Sequence, residues 1–186
     1  GWHAEFADVD NDGQADLFIA KGNVDQMPGM ATRDPNNLLM QLNDGKFEER
    51  AHIAGVATTE RSRGAALVDF DNDGRLDLIV ANRRAPLELY RNVTSGTGNW
   101  INITLRQSGG NVDAIGALIS VDTGTSKQLQ QHTIGGGHAG GQLVGRHFGL
   151  AETKRVDVTV TWPDQSQSTH SFGANQRVII SKPTQP

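Results

Sequence analysis

Apolar residues in this chain come in short runs cut by Gly, Asn and Asp, and no long segment holds a helical period. Leu17-Phe18-Ile19-Ala20 and Leu78-Ile79-Val80-Ala81 are two such runs with β-branched content, which predicts buried strands. Leu39-Met40-Gln41-Leu42 follows the first and Leu89-Tyr90-Arg91-Asn92 the second as a matched pair. Asn43-Asp44-Gly45-Lys46-Phe47 then supplies an Asp-Gly hairpin turn. From about residue 97 the runs become alternating. Trp100 to Leu105, Ala117 to Val121, Gln128 to Ile134, Val156 to Trp162 and Arg177 to Ser181 are the predicted strands. Val156, Val158, Val160 and Trp162 share one face of theirs. Short strands at this spacing predict a small sandwich or barrel-like β domain over residues 97–186.

The polar residues between the first strands are not ordinary turn residues. Asp8-Val9-Asp10-Asn11-Asp12-Gly13-Gln14-Ala15-Asp16 is repeated as Asp69-Phe70-Asp71-Asn72-Asp73-Gly74-Arg75-Leu76-Asp77. Four carboxylates recur at loop positions 1, 3, 5 and 9, with Gly at 6. Carboxylates this close repel one another unless a cation sits among them. Calcium suits the set, because it takes six to eight oxygens in a flexible cage and Gly permits the sharp turn. Magnesium fits less well, since it uses few protein ligands and keeps its waters. Two calcium sites are therefore expected. Asp8, Asp10, Asp12 and Asp16 serve one, and Asp69, Asp71, Asp73 and Asp77 the other. The main-chain carbonyls of Gln14 and Arg75, at position 7, are the expected fifth ligands. An EF-hand would need Glu at position 12 and flanking helices. Ile19 and Val80 stand there instead, inside predicted strands. Each loop is thus expected to join two strands, with the ion standing in for contacts the hairpin lacks.

The repeat is longer than the loops. Asp8 and Asp69 are 61 residues apart, long for one propeller blade but compatible with a blade plus an insertion. Leu39 lies 23 residues after Asp16, and Leu89, taken as its counterpart, 12 after Asp77. The 11 extra residues fall within Gly22 to Asn36, where Met27-Pro28-Gly29-Met30 and Asp34-Pro35 predict a surface loop. On this alignment Leu42 stands where the second copy has Asn92.

Composition narrows the choice further. Hydrophobic residues make up 36% of 186, and the 22 glycines suit a turn-rich β protein. No apolar run is long enough to span a membrane, so no membrane insertion is expected. Cysteine is absent, which excludes a disulfide framework. The formal charge of −4 comes mostly from the acidic loops and would be offset by two divalent ions. Arg83-Arg84 is too short to be a basic patch, so no nucleic-acid partner is expected.

With loops, strands and repeat in hand, the chain resembles the FG-GAP/VCBS calcium-binding repeats of integrin-like β-propellers. More closely, it is similar to the cartilage acidic protein type, in which such repeats precede an ASPIC/UnbV domain. Gly1-Trp2-His3-Ala4-Glu5-Phe6 looks like the strand that opens a blade there, and Ser62-Arg63-Gly64-Ala65-Ala66 like the lead into the second loop. The ASPIC/UnbV signature follows in order: Asn99-Trp100-Ile101, Asp113-Ala114-Ile115-Gly116-Ala117, Gly135-Gly136-Gly137-His138, His147-Phe148-Gly149-Leu150 and Val160-Thr161-Trp162-Pro163-Asp164. His138-Ala139-Gly140-Gly141 departs from the aromatic often found after the Gly-rich turn. The resemblance implies an all-β chain. A partial β-propeller of about two blades, residues 1–96, is followed by the β domain of residues 97–186. It also implies the last blades of a longer propeller, because four to eight are needed to close one. Open sheet edges then need the remaining blades, self-association or another polypeptide to cover them.

No motif for catalysis stands out. His132, His138, His147 and His170 match no zinc spacing and are expected to be structural or surface residues. Gly135 to Gly141 lacks the Lys-Ser/Thr ending of a phosphate loop and is expected to be a turn. Ser120, His132 and Asp122 sit in no nucleophile elbow. Asn92-Val93-Thr94 and Asn102-Ile103-Thr104 match the glycosylation pattern, a short match that arises by chance. The expected function is an extracellular or secreted, calcium-stabilised adhesion or scaffold module, not an enzyme, with a protein or glycan partner. A subunit of an extracellular filament, or an enzyme with its site in the propeller channel or C-terminal domain, are the alternatives.

Overall fold

A computed structural model describes residues 1–23, 33–138, 140–143 and 145–183. Two compact units emerge. One comprises Gly1–Val9, Gln14–Ser95 and Gly135–Gln142, the other Asp10–Gly13, Gly96–Ile134 and Leu143–Pro186. The chain is nearly all β, as the short punctuated runs predict.

The first unit holds two antiparallel sheets. One has four strands in sequence order: β1 (His3–Ala7), β2 (Asp16–Ala20), β3 (Asn37–Gln41) and β4 (Phe47–Glu49). The other has three: β5 (Ser62–Val68), β6 (Asp77–Asn82) and β7 (Glu88–Tyr90). These are the two blades. Each acidic loop joins the first two strands of its sheet, with Ala7 opposite Asp16 and Val68 opposite Asp77. The Asn43–Lys46 segment turns β3 into β4, with Gly45 at φ 79° and Leu42 donating to the Lys46 carbonyl at 2.7 Å. One helical turn, α1 (Ala51–Ala54), follows β4 and ends on left-handed Gly55. Phe18 and Ala20 of β2, Leu67 of β5, Leu78 and Val80 of β6, and Ala51 form a shared core. The β2 pattern alternates buried and half-buried, which is why Phe18 points inward and Ile19 less so.

Strand pairing corrects the alignment of the two repeats by one residue. Leu17 faces Leu39, whereas Leu78 faces Tyr90 and Leu89 faces Ile79. Leu39 therefore corresponds to Tyr90, Met40 to Arg91, and Gln41, not Leu42, to Asn92. Tyr90 lies 13 residues after Asp77, so the first copy is longer by ten residues rather than 11. Matching Leu to Leu by type misled, because a slip of one residue exchanges the faces of a strand. Leu89 is in fact 58% exposed. Of the predicted surface loop, residues 24–32 lie outside the described residues. At its flank, Lys21 pairs with Asp34 at 2.9 Å and its backbone donates to Asn36 Oδ1 at 2.8 Å.

The second unit is a two-sheet sandwich. β8 (Asn99–Arg106) is central in the order β11-β8-β14, flanked by β11 (Arg146–Ala151) and, in parallel, β14 (Gln176–Ser181). The other sheet runs β10 (Lys127–Gln131), β9 (Leu118–Asp122), β12 (Arg155–Thr161), β13 (Gln167–Gly173). Ile101, Ile103, Leu105, Phe148, Leu150 and Ile180 from the first meet Ile119, Val121 and the predicted Val156, Val158, Val160 and Trp162 face from the second. The strand expected to reach Ile134 ends at Gln131. His132 beyond it leaves the strand to bond the Ala117 carbonyl and take the Gly116 amide.

Candidate metal centres

Both acidic loops fold by the same local chemistry. Position 4 takes the left-handed conformation, Asn11 at φ 62° and Asn72 at φ 64°, and so does position 6, Gly13 at φ 91° and Gly74 at φ 89°. Asn tolerates that region better than other side chains, and Gly enters it without cost. The repeated Asn is thus a functional position that carboxylate spacing alone passed over. Its signal was the identity of Asn in both copies.

The position-9 carboxylates fasten each loop to its blade. Asp77 is fully buried; its Oδ2 accepts the Phe70 amide at 3.1 Å and its Oδ1 the Asn92 amide at 2.8 Å. Asp16 does the same with the amides of Val9, at 3.0 Å, and Gln41, at 2.9 Å. These matching bonds support the corrected register. At position 3, Asp10 and Asp71 each accept the amide of the position-5 residue at 3.3 Å. At position 1 of the second loop, Asp69 is buried and accepts the amides of Asp73 at 3.1 Å and Gly74 at 3.0 Å.

These bonds leave three carboxylates converging in each loop. One oxygen each from Asp8, Asp10 and Asp16 lies within 4.8 Å of the others, and so does one each from Asp69, Asp71 and Asp77. Positions 1, 3 and 9 of the expected ligand set are therefore brought together. Position 5 stands outside the trio. Asp73 turns its carboxylate to Arg75 and Arg91 and accepts the Arg75 amide at 3.0 Å. Asp12 occupies the corresponding place in the first loop. At position 7, the Gln14 side chain donates to Asn43 at 3.1 Å, and Arg75 Nε donates to the Asn92 carbonyl at 2.8 Å. The trio is an all-oxygen, hard donor set that matches a hard divalent cation. Burial pushes the Asp77 carboxyl above the usual carboxylate range, and repulsion from Asp71 and Asp73 adds to it. Such concentrated charge is what a cation would relieve.

The histidines disperse. His132 is buried, accepts from Arg146 at 3.4 Å, and is held below its ordinary value by burial and by the Arg146 charge. His147 bonds Asn11 at 2.7 Å, His138 tilts onto Trp2 and His170 bonds Ser168. Among the described residues, no histidine joins a metal-capable trio. Gly135 and Gly141 bridge to each other, so the Gly-rich segment does turn back on itself. The Asn92 side-chain amide donates to the carbonyls of Val9 and Leu76, which commits it to backbone hydrogen bonds with both acidic loops.

The chain matches the FG-GAP-like repeat family over residues 8–80 and again over 69–124, each match beginning on the first aspartate of a loop. It matches the ASPIC and UnbV family over residues 107–186. It is similar to Cartilage acidic protein 1 of Mus musculus, 28% identical over 174 residues, and of Homo sapiens, 30% over 162. The protein of that name from Xenopus tropicalis is 29% identical over 180 residues. These alignments take in 91%, 85% and 91% of this chain but 26%, 24% and 26% of the relatives. The chain thus spans about a quarter of the length of the curated relatives it matches.

Proposed function

The chain belongs to the FG-GAP-like repeat family, with an ASPIC and UnbV domain behind its repeats, and from that premise we propose that it is a calcium-stabilised binding or scaffold module acting outside the cell. The observation that carries this reading is the pair of carboxylate trios at equivalent hairpins of the two blades. In each loop the ligands are the aspartates of positions 1, 3 and 9, joined by position 5 and the carbonyl of position 7. Calcium would neutralise the clustered charge and pin the β1–β2 and β5–β6 turns. Three carboxylates per loop exceed what magnesium commonly uses, which favours calcium. Extracellular calcium modules bind at about 10⁻⁴ to 10⁻³ M, so a millimolar-calcium environment is the natural setting for such loops. No helix among the described residues is long and apolar enough to cross a membrane.

The work of the module is recognition of a protein or glycan by rigid propeller loops; neither nucleic-acid binding nor catalysis is part of the proposal. A second reading, a subunit of a larger assembly, is favoured by one feature. Among the described residues the first blade has four strands and the second three, so β7 is an edge strand, and Leu89 on it and Leu87 just before it are 58% and 63% exposed. Unpaired edges invite further strands, whether from additional blades or another copy. Thermal unfolding in calcium, magnesium and chelator tests the calcium reading, and solution mass tests the assembly. A melting temperature raised by calcium and not by magnesium supports the module. Equal melting in all three would overturn it.

A further inference from the structure

The two acidic loops share the backbone hydrogen bonds of their position-3 and position-9 carboxylates but carry different residues at two places beside them. In the second, Arg91 Nε donates to Asp71 Oδ2 at 2.6 Å, and a terminal nitrogen of the same guanidinium reaches Asp73 Oδ2 at 3.3 Å. Arg75 joins it on Asp73, held in place by its own bond to the Asn92 carbonyl. In the corrected register the first copy has Met40 at the place of Arg91 and Gln14 at the place of Arg75. The repeat therefore keeps its carboxylates and changes their surroundings.

We propose that Arg91 is a resident cation of the second loop, one that lowers this loop's affinity for a divalent ion and holds its shape when calcium is scarce. The inference rests on the calcium reading of the loops. Asp71 belongs to the carboxylate trio, so a guanidinium on one of its carboxylate oxygens opposes an incoming ion electrostatically. It also pairs with Asp73, the position-5 aspartate, which stands outside the trio as Asp12 does in the first loop. Arg91 is 58% exposed, so water screens the opposition and the effect is moderate rather than prohibitive. Four aspartates and two arginines carry a net charge of −2, which one calcium ion neutralises. The loop remains able to bind but fills at higher calcium than its carboxylates alone would require. The arginine thereby sets the calcium concentration at which the second blade becomes rigid.

Calcium titration calorimetry on the full chain tests this. Asp69→Ala identifies the binding event that belongs to the second loop, and Asp71→Asn, at an exposed position, serves if that variant does not fold. Arg91→Met, which installs the residue of the first copy, should tighten that event by about fivefold. Arg91→Lys should stay within about twofold of the parent. Without calcium, Arg91→Met should melt about 2 °C lower, since an exposed ion-pair network has been lost. Unchanged or weaker binding in Arg91→Met would overturn the proposal while leaving the calcium reading intact. A parent chain that takes up no calcium would overturn both.

Discussion

Replacing Asp69 with Ala separates what the loop's carboxylates do alone from what an ion would add. Asp69 is 4% exposed and accepts two backbone amides, from Asp73 and Gly74. Bonds to a charged acceptor contribute about 1.5–3 kcal/mol each. Two effects offset their loss. The Asp73 amide keeps a second acceptor, Asp71 Oδ1 at 3.3 Å. Removing the carboxylate also relieves repulsion from Asp71 and Asp77, whose oxygens lie within 4.8 Å; that is worth about 1 kcal/mol per pair in a watery surrounding. The net cost in chelator is about 1–2 kcal/mol, or about 2–8 °C of melting temperature for a chain of this size. In about 10 mM calcium, an ion bound at about 10⁻⁴ to 10⁻³ M adds a further 1.4–2.7 kcal/mol to the parent alone. Circular dichroism melts of both chains, with and without calcium, give the two gaps. The gap should roughly double when calcium is added. A gap of the same size in calcium and in chelator would refute the assignment of Asp69 as a ligand.

Three further outcomes follow from the geometry. Asn72 sits at φ 64°, so Asn72→Ala should cost about 1 kcal/mol and Asn72→Gly close to nothing; equal losses in chemical denaturation would show that the left-handed turn is not what selects Asn. Val158 is fully buried in the sandwich, and Val158→Ala should cost about 2–3 kcal/mol by the same amount with calcium or chelator. A calcium-dependent penalty there would mean the sandwich senses the loops. Tyr90 is the one tyrosine of the chain, and burial, with Glu88 beside it, pushes its phenol up to about 12. The folded form therefore holds the proton longer than the unfolded one. The contribution is fully present below about pH 10 and is lost as pH rises towards 12. Ultraviolet titration of the native chain should show a late phenol that reverts to about 10 in denaturant, and a native phenol already near 10 would refute its burial.

Much of this architecture is legible in the sequence because it is written in contrast. Leu17 to Ala20 and Leu78 to Ala81 stand out against Asp and Gly, and the Val156 to Trp162 alternation survives as a buried face. The strands that escaped are those without contrast. β13, Gln167–Gly173, is mostly polar because it lies at a sheet edge with one half-buried row. β11, Arg146–Ala151, is buried along most of its length and so shows no alternation to read. In the loops, the aspartates were visible by spacing, but their division of labour was not. Only the fold shows that Asp16 and Asp77 reach across to the amides of Gln41 and Asn92, or that Asp73 faces two arginines. Apart from Arg75, two residues from Asp73, those partners come from the third strand or the residues just past it, 15 or more residues away, and their identity depends on a strand register that residue type does not show.

The most direct test of the central claim is the number of calcium ions held per chain, measured by equilibrium dialysis and elemental analysis in millimolar calcium with excess magnesium. The account predicts two ions for the parent chain and one for Asp69→Ala. Retention of no calcium under these conditions, or of two ions by the variant, would contradict it.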